Sequence, residues 1–359
     1  MIACVVGARP NFIKIAPLLS EMQRRGLSYR LIHTGQHYDS PMNDVFFEQL
    51  EIPSPDVNLE IGSTSHARQT GEALIKLEQD FLSHKPELVV VVGDVNSTLA
   101  GALAAAKLNI PVAHIEAGYR SFDHRMPEEI NRILVDRVSD YLFAPTDDAV
   151  ENLKKEGIRP ESIYLVGNIM IETLLRNSEE IQRRKKHKEF GLKLKQYGVV
   201  TIHRPENTDD RTKLTNIVDA LSASSIPLVL PLHPRTGKCL DDFGLRARLG
   251  ERILVSPPLP YIDMLSLMKD ATCTVTDSGG VQEEACVLSV PCITIRENTE
   301  RIATIAVGSN RLVRADCACI NEAIRVVIEE KSEDWVVPEK WDAKVSKRIL
   351  DNLDKSRGC

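Results

Sequence analysis

The stretch LVVVVGDVNST at residues 88–98 decides the fold class of this chain. Five consecutive apolar residues are typical of a strand buried on both faces, as in a parallel sheet. Gly93 and Asp94 then end the run, and the small polar residues that follow predict a helix over 97–108. The stretch therefore indicates a strand–loop–helix unit of an α/β fold.

The same unit recurs along the whole chain of 359 residues. Helical spacing of apolar residues, for example at 66–84 and 127–139, separates the short apolar runs. The predicted strands of the first half are 2–6, 29–34, 88–92, 111–115, 141–144 and 162–166. Those of the second half are 198–202, 227–232, 252–255, 272–276, 291–295 and 311–314. This repetition predicts an α/β protein with two doubly wound parallel sheets.

The length of the chain favours two domains. We expect the first over 1–168 and the second over 169–339, because Gly167 and Asn168 end a strand and a polar, basic segment follows. The segment 340–359 is amphipathic and has no strand after it. It predicts a C-terminal helix that joins the first domain.

Composition and charge exclude several classes of protein. The apolar run at 88–92 is far shorter than the ~20 residues of a membrane helix. The N-terminus has neither the basic segment nor the apolar stretch of a signal peptide. A net charge of −6 and a pI of about 5.9 argue against a general nucleic-acid surface. We therefore expect a cytoplasmic protein with no nucleic-acid or membrane partner.

Neither a metal nor a cofactor is expected from the motifs. The eight cysteines are dispersed without a CxxC pair, and Cys273, Cys286 and Cys292 lie in apolar segments typical of buried thiols in a reducing compartment. Zinc-ligand spacing is absent from the histidines at positions 33, 37, 114 and 124. No GxGxxG follows the first strand and no GxxxxGK[ST] occurs, which argues against a dinucleotide and against a P-loop.

Three carboxylates lie just after strand ends or at a helix start. Asp94 and Glu116 follow the strands at 88–92 and 111–115, and Glu128 follows Pro127. Each one alone could be a structural cap. Ligands of parallel α/β sheets bind beyond the carboxyl ends of the strands, so the three together suggest acid/base chemistry in the first domain.

Groups suited to phosphate follow the strands of the second half. His203 and Arg204 come after the strand at 198–202, and His233 comes after the strand at 227–232. Cationic or protonated side chains of this kind bind phosphate oxygens. An anionic ligand is therefore expected in the second domain.

A helix start in the second half points to the same ligand. Ser278, Gly279 and Gly280 precede the helical pattern, and the exposed N–H groups and dipole of a helix start suit a diphosphate. The alternative is a plain N-cap with a tight turn. Glu283 or Glu284, further along this helix, could bind ribose hydroxyl groups.

Ordered motifs along essentially the whole chain resemble a known family. They are GARPNFIK at 7–14, GDVNST at 93–98, HIEAG at 114–118, RMPEEINR at 125–132, TIHRPEN at 201–207, TDSGGVQEEA at 276–285 and RENTER at 296–301. These stretches are similar to those of the non-hydrolysing UDP-N-acetylglucosamine 2-epimerases. The resemblance implies the glycosyltransferase-B architecture, with two Rossmann-like domains and a C-terminal helix that crosses back to the first.

The resemblance also implies a reaction. It inverts C2 of a UDP-linked 2-acetamido sugar without NAD or metal: anti elimination of UDP gives a 2-acetamidoglucal, and UDP then adds back. Such an enzyme converts UDP-N-acetylglucosamine reversibly to UDP-N-acetylmannosamine. The implied catalytic residues are Asp94, Glu116, Glu128 and His203. The implied UDP- and substrate-binding residues are Arg9, Lys14, His203, Met264, Ser278, Gly279, Gly280, Glu284 and Arg301.

Two further properties follow from the resemblance. The bacterial members bind a second UDP-N-acetylglucosamine as an activator, and an effector pocket of this kind would use Gln36, His37, Arg68, Gln69, Arg204 and His233. A homodimer is also implied.

The substrate and the class of activity have alternatives. HTGQHYD at 33–39, DVFFEQLEIP at 44–53 and RSFDHRMPEE at 120–129 look more like the branch that epimerises UDP-2,3-diacetamido-2,3-dideoxyglucuronic acid. Other possibilities are a glycosyltransferase of the same fold, a hydrolysing relative that releases free N-acetylmannosamine, and a nucleotide-sugar sensor. The presence of all four implied catalytic residues speaks against a sensor.

Overall fold

A computed structural model of the chain describes residues 1–35, 49–330 and 334–357. The chain divides into two compact units. Unit 1 is Met1–Arg176 together with Glu339–Cys359, and unit 2 is Asn177–Pro338. Within the described residues, no helix is long and apolar enough to cross a membrane.

Unit 1 is built on a seven-stranded parallel sheet. Its strands are β1 (Ile2–Val6), β2 (Tyr29–His33), β3 (Val57–Asn58), β4 (Leu88–Val92), β5 (Val112–Ile115), β6 (Tyr141–Ala144) and β7 (Ile163–Leu165). Its described helices are α1 (Arg9–Arg24), α2 (His66–His84), α3 (Asn96–Lys107), α4 (Pro127–Val138), α5 (Asp147–Lys155), α6 (Ile169–Arg176) and the C-terminal helix Val345–Arg357, with a short 3₁₀ helix at Pro160–Ser162.

The strand order of this sheet is β3-β2-β1-β4-β5-β6-β7. The chain starts at a central strand, winds to one edge and then returns to the centre with β4. Ile2 pairs with Leu88 and Val5 with Val91, so β1 and β4 end side by side. Neighbouring strands whose connections lead to opposite edges leave a crevice at their carboxyl ends. The GARPN and GDVNS loops therefore meet at the switch point of unit 1.

Close packing of helices onto the sheet explains the small residues of α3. All of β4 is buried, as double-sided cover requires. A Cβ added to Gly101 would lie 3.1 Å from Cγ1 of Val91 and 3.3 Å from Cγ1 of Val5, so the helix axis lies near the strands. This position holds the start of α3 over the ends of β1 and β4.

Unit 2 repeats the arrangement with a six-stranded parallel sheet. Its strands are β8 (Gly198–Thr201), β9 (Leu228–Pro231), β10 (Ile253–Ser256), β11 (Cys273–Thr276), β12 (Cys292–Ile295) and β13 (Asn310–Val313). Its described helices are α7 (Ser178–Arg184), α8 (Pro205–Thr208), α9 (Arg211–Ser222), α10 (Pro234–Asp242), α11 (Tyr261–Lys269), α12 (Gly279–Val287), α13 (Ile302–Ala306) and α14 (Cys317–Glu330), with 3₁₀ helices at Lys186–Phe190 and Arg246–Arg248.

The strand order of unit 2, β10-β9-β8-β11-β12-β13, is the doubly wound order found in unit 1. Its switch point lies between β8 and β11, where Thr201 pairs with Thr276 and their hydroxyl groups are 2.6 Å apart. The loops beginning at His203 and Asp277 follow these strands. The predicted fold class, with two Rossmann-like sheets, is confirmed.

The C-terminal helix packs in unit 1. The Ser346 N–H donates to Glu172 at 2.6 Å, and Arg25 donates to Asp351 at 2.6 Å. The junction between the units differs from the predicted boundary after residue 168 by one helix, because α6 packs on α1. The Thr173 hydroxyl donates to the carbonyl of Ile13 at 2.6 Å, which holds α6 in unit 1.

Candidate active site

Asn11 ties the two switch-point strands of unit 1 together. Its Oδ1 accepts from the N–H groups of Gly7 and Ala8 at 3.1 and 3.0 Å, and its Nδ2 donates to the carbonyl of Val92 at 2.9 Å. The side chain thus fixes the loop after β1 against the end of β4. It was not singled out from the sequence.

Lys14 and Glu116 form a buried ion pair beside this loop. Lys14 lies on α1, and Glu116 follows β5 in the left-handed region with φ of 72°. Gly93 packs against the pair, since a Cβ built there would lie 3.2 Å from Nζ of Lys14 and 3.5 Å from Oε2 of Glu116. The structure therefore brings together two residues that the sequence placed in separate motifs.

Asp94 is held by a guanidinium. Nε and Nη2 of Arg132 donate to its Oδ2 at 2.9 and 2.6 Å, and Nη1 of Arg132 donates to Glu129 at 2.8 Å. Arg132 is buried and Asp94 is partly exposed. This geometry keeps the Asp94 carboxylate paired while one edge of it faces solvent. Arg132 lies in a quoted motif, but nothing in the sequence identified it as the partner of Asp94.

Glu128 and Arg9 lie in the first turns of α4 and α1. Glu128 is the second residue of α4, is half-buried and makes no hydrogen bond or ion pair to any described residue. Its neighbour Glu129 is buried and accepts from the N–H groups of Ser121 and Phe122, which is a structural role. Arg9 is the first residue of α1 and is partly exposed.

Asp277 organises the switch point of unit 2. Its buried carboxylate accepts from the N–H groups of His203 and Arg204, at 3.1 and 3.0 Å, and from Nδ2 of Asn207 at 3.1 Å. The Arg204 guanidinium donates to the carbonyl of Asp277 at 3.0 Å. These bonds hold the two loops together, a role for Asp277 that sequence reasoning missed.

The His203 and His233 rings lie side by side after neighbouring strands of unit 2. Their centroids are 5.4 Å apart, and His203 Nδ1 is 3.4 Å from Asp277. Desolvation lowers the pKa of His203, and the Arg204 charge acts in the same direction against the attraction of Asp277. His233 Nδ1 accepts from the N–H of Arg235 at 3.2 Å, so its Nε2 carries the proton of the neutral ring.

The start of α12 lies among buried charges. A Cβ on Gly279 would lie 2.7 Å from Oε1 of Glu300 and 3.4 Å from Nε of Arg301. Arg301 is buried and lies 3.3 Å from Glu283. Arg296 lies 3.0 Å from Glu300, and burial lowers its pKa. The first turn of α12 thus presents N–H groups beside guanidinium groups, a combination suited to a diphosphate.

The remaining predicted binding residues lie nearby in sequence or on the adjoining helix. Ser278 precedes α12, its N–H donates to the Thr276 hydroxyl at 2.9 Å, and Gly280 is the second residue of the helix. Glu284 is buried against Tyr261, whose pKa is raised by burial and by the Glu284 charge. Met264 is half-buried on α11.

The predicted effector residues do not all fall within the described residues. Gln36 and His37 lie outside them. Arg68 is exposed and pairs with Glu72, while Gln69 is buried, donates to the Gly62 carbonyl at 3.1 Å and accepts from Asn96 at 2.8 Å. Arg204 and His233 belong to the unit 2 site above.

The chain is similar to known proteins over most of its length. The family model described as UDP-N-acetylglucosamine 2-epimerase matches residues 20–354. The chain is 42% identical over 346 residues to the UDP-N-acetylglucosamine 2-epimerase of Methanocaldococcus jannaschii, covering 94% of each chain. It is 44% identical over 341 residues to the UDP-2,3-diacetamido-2,3-dideoxy-D-glucuronate 2-epimerase of Pseudomonas aeruginosa, covering 93% of this chain and 94% of that protein.

Solved structures agree with the sequence comparison. The crystal structure of the M. jannaschii enzyme in complex with UDP-GlcNAc and UDP has a TM-score of 0.93 at 42% identity, with 99% of each chain covered. The Neisseria meningitidis UDP-GlcNAc 2-epimerase bound to UDP-GlcNAc has a TM-score of 0.89 at 30% identity, also with 99% of each chain covered. The chain belongs to the UDP-N-acetylglucosamine 2-epimerase family.

Proposed function

We propose that this protein is an isomerase that inverts C2 of a UDP-linked 2-acetamido sugar, with UDP-N-acetylglucosamine and UDP-N-acetylmannosamine as the interconverted pair. The observation that carries the proposal is its likeness, over 94% of each chain, to the M. jannaschii UDP-N-acetylglucosamine 2-epimerase. The strand-end carboxylates of unit 1 and the cationic helix start of unit 2 supply chemistry that fits such a reaction.

The proposed mechanism eliminates UDP and adds it back. The C2 proton has no adjacent carbonyl to make it acidic, so its removal must accompany loss of the diphosphate from C1. In unit 2, the N–H groups of α12 and the Arg301 guanidinium stabilise the departing diphosphate, with His203 beside its negative charge. In unit 1, Asp94, Glu116 and Glu128 exchange protons with the two faces of C2.

Two of the three proposed acid/base carboxylates are each paired with a cation. Lys14 balances Glu116, and Arg132 balances Asp94. Because each of these partners is a fixed cation, a carboxylate that gives or takes a proton returns to a defined ionised state after the step. Glu128 has no such partner among the described residues, which suits a group exposed to substrate and solvent.

A second substrate has a specific observation in its favour. Identity to the P. aeruginosa UDP-2,3-diacetamido-2,3-dideoxy-D-glucuronate 2-epimerase is 44%, against 42% to the M. jannaschii enzyme, so identity does not separate them. The deciding experiment incubates the purified protein with each nucleotide sugar alone and identifies products by proton NMR. We expect the C2 epimer of UDP-N-acetylglucosamine. Epimerisation of the diacetamido uronate alone would replace this substrate by the second.

The same assay separates the other classes of activity. A glycosyltransferase needs an acceptor and would leave the nucleotide sugar unchanged, and a hydrolysing relative would release free N-acetylmannosamine. A nucleotide-sugar sensor would bind without turnover. Formation of the UDP-linked epimer without an acceptor is the result that the proposal requires.

We also propose a cytoplasmic homodimer. Exposed apolar side chains on two helices of unit 1 that both pack against α3 support the dimer: Ile75 and Leu82 on α2, and Ile130 and Leu134 on α4. Free, buried thiols such as Cys4 suit a reducing compartment. Sedimentation of the wild type and of Ile130→Asp tests the dimer. A wild-type monomer would contradict it.

A further inference from the structure

Both ring nitrogens of the fully buried His114 face hydrogen-bond acceptors. Nδ1 lies 2.7 Å from Oδ1 of Asp136, and Nε2 lies 2.8 Å from the carbonyl oxygen of Gly93. A neutral imidazole has one N–H, so one of these contacts would bring two lone pairs together. The geometry therefore fits an imidazolium that donates both bonds.

The charges around Asp136 support this assignment. Its second oxygen accepts from the N–H of Gly118 at 3.0 Å and from Arg120 at 2.7 Å, and Arg120 also pairs with Glu156. Burial alone would raise the pKa of Asp136, but the His114 and Arg120 charges outweigh it and lower the pKa. An ionised Asp136 leaves the His114 ring as the donor.

His114 and Asp136 contact or lie on all three elements that carry the proposed acid/base carboxylates. Gly93, whose carbonyl accepts from His114, directly precedes Asp94. Gly118, whose N–H donates to Asp136, follows Glu116 by two residues. Asp136 itself lies on α4, the helix whose second residue is Glu128.

The loop after β5 needs such an anchor. Glu116 has φ of 72° and Gly118 has φ of 87°, both in the left-handed region. A non-glycine residue in that region costs about 1–3 kcal/mol and persists only where its surroundings fix it. His114, which bonds to Asp136 and Gly93, precedes the strained Glu116 by two positions. Gly118, which donates to Asp136, follows it by two.

We propose that His114 and Asp136 are positioning residues, which act as a buried clamp that fixes Asp94 and Glu116 for proton transfer. This inference rests on the proposed function. The clamp belongs to unit 1, whereas the proposed diphosphate-binding groups belong to unit 2, so its loss should lower kcat and leave KM nearly unchanged.

The kinetic test uses two substitutions at one position. His114→Asn keeps a donor toward Asp136 but is too short to reach Gly93, whereas His114→Gln places its donor near the former Nε2. We expect His114→Asn to lower kcat by about 10²-fold with KM changed less than about threefold, and His114→Gln to recover most of the loss.

The matched control is Asp270→Asn in unit 2. It removes a carboxylate from another histidine pair, in which His187 Nδ1 lies 2.6 Å from Asp270, far along the chain from the acid/base motifs. This variant should keep the wild-type kcat. Equal kcat values for His114→Asn and Asp270→Asn would overturn the proposal.

A spectroscopic test needs no substitution. Nitrogen-15 NMR of histidine-labelled wild-type protein at pH 8 should show both His114 ring nitrogens protonated, whereas an exposed histidine is neutral there. An unprotonated nitrogen would mean that one arm of the clamp is absent, which overturns the proposal even if His114→Asn does not fold.

The proposed function and the positioning role of His114 are contradicted by different results. A wild-type protein that epimerises neither nucleotide sugar contradicts the proposed function, and the positioning role falls with it. An active wild type with a fully active His114→Asn contradicts only the clamp.

Discussion

Lys14 and Glu116 form an ion pair in which both side chains are at least nine-tenths buried, with exposed fractions of 8% and 4%. The second carboxylate oxygen of Glu116, Oε1, has no hydrogen-bond partner among the residues that the structure describes. Leaving a buried acceptor unpaired costs about 1–3 kcal/mol. An unpaired carboxylate oxygen at the carboxyl end of β5 suits a group that accepts a proton from the substrate.

Glu116→Gln should lower kcat by about 10²–10⁴-fold, because an amide keeps the shape but cannot accept a proton. The proposed diphosphate-binding groups at the start of α12 lie in unit 2, so UDP affinity measured by calorimetry should stay nearly the same. The control is Glu161→Gln, which changes an exposed carboxylate of unit 1. Near-normal turnover of Glu116→Gln would make the pair structural.

Gly279→Ala should weaken UDP binding. The new methyl group would lie 2.7 Å from Oε1 of Glu300, so it must displace that carboxylate or the neighbouring Arg301. Overpacking of this kind costs about 1–3 kcal/mol, and the same loss in binding free energy corresponds to about 5- to 150-fold in Kd. Calorimetric titration with UDP measures the change. Gly71→Ala, where nothing lies within 4 Å of the added atom, is the control, and equal UDP affinities for the two variants would remove Gly279 from the diphosphate site.

Ser278→Ala and Arg301→Ala extend the same argument to side chains. Removing the buried Arg301 guanidinium takes away a cation beside the start of α12, so it should weaken UDP binding more than removal of the Ser278 hydroxyl does. Calorimetry with UDP ranks the two variants. Unchanged affinity in Arg301→Ala would count against the assignment.

Stability should fall between pH 6.5 and pH 4 in part because of His33. The ring is buried against Phe12, with centroids 5.0 Å apart, and desolvation lowers its pKa to about 4, with only partial compensation from a hydrogen bond to the Gly7 backbone. The unfolded chain binds this proton at higher pH than the folded chain does. The contribution of neutral His33 is therefore complete above pH 6.5 and is lost toward pH 4, by about 3 kcal/mol in total.

Urea unfolding of the wild type and of His33→Gln, each across this pH range, measures the effect. The difference in unfolding free energy between the two proteins should shrink as the pH falls. His84→Gln, which removes an exposed imidazole at the end of α2, should instead follow the wild-type profile. Parallel profiles for the wild type and His33→Gln would show that His33 does not titrate in this range.

Much of the fold follows from local patterns in the sequence. The runs at 2–6, 88–92 and 141–144 match strands of the structure end to end, because solid apolar runs between turn residues have few other solutions. The two-residue strand Val57–Asn58 is too short to carry a pattern, and it was missed. The predicted boundary put helix α6 in the second domain, whereas the helix packs on α1 of unit 1. Contacts such as that of Thr173 with Ile13 join residues far apart in the chain, so no local pattern shows this packing.

In the candidate site, too, local pattern predicted some residues and long-range contacts hid others. Strand-end position identified Asp94, Glu116 and His203, since parallel sheets place ligands there. The residues that hold these loops were not identified: Arg132 pairs with Asp94, Asp136 accepts from Gly118 and Asp277 accepts from His203. These partners are 18 to 74 positions apart, and pairings of that kind leave no periodic signal in one sequence.

Chelators and added NAD should leave the rate unchanged. No three His, Cys, Asp or Glu side chains within the described ranges are arranged to hold a metal ion, and the first strand is followed by GARPN rather than by GxGxxG. Turnover is measured before and after exhaustive treatment with EDTA, and again with NAD. Activity lost to EDTA and restored by one metal would contradict the cofactor-free mechanism.

Elimination and re-addition of UDP can be followed in one turnover experiment that uses two isotopic labels. The reaction is run in D₂O on a nucleotide sugar that carries oxygen-18 in the bridge between C1 and the β-phosphate. Elimination predicts deuterium at C2 of the product, because the proton lost to a protein base is replaced from the opposite face. It also predicts oxygen-18 in the non-bridging positions of the β-phosphate, because the released UDP turns before it adds back. Deuterium at C2 with all the oxygen-18 still in the bridge would contradict elimination, and so would a product without deuterium.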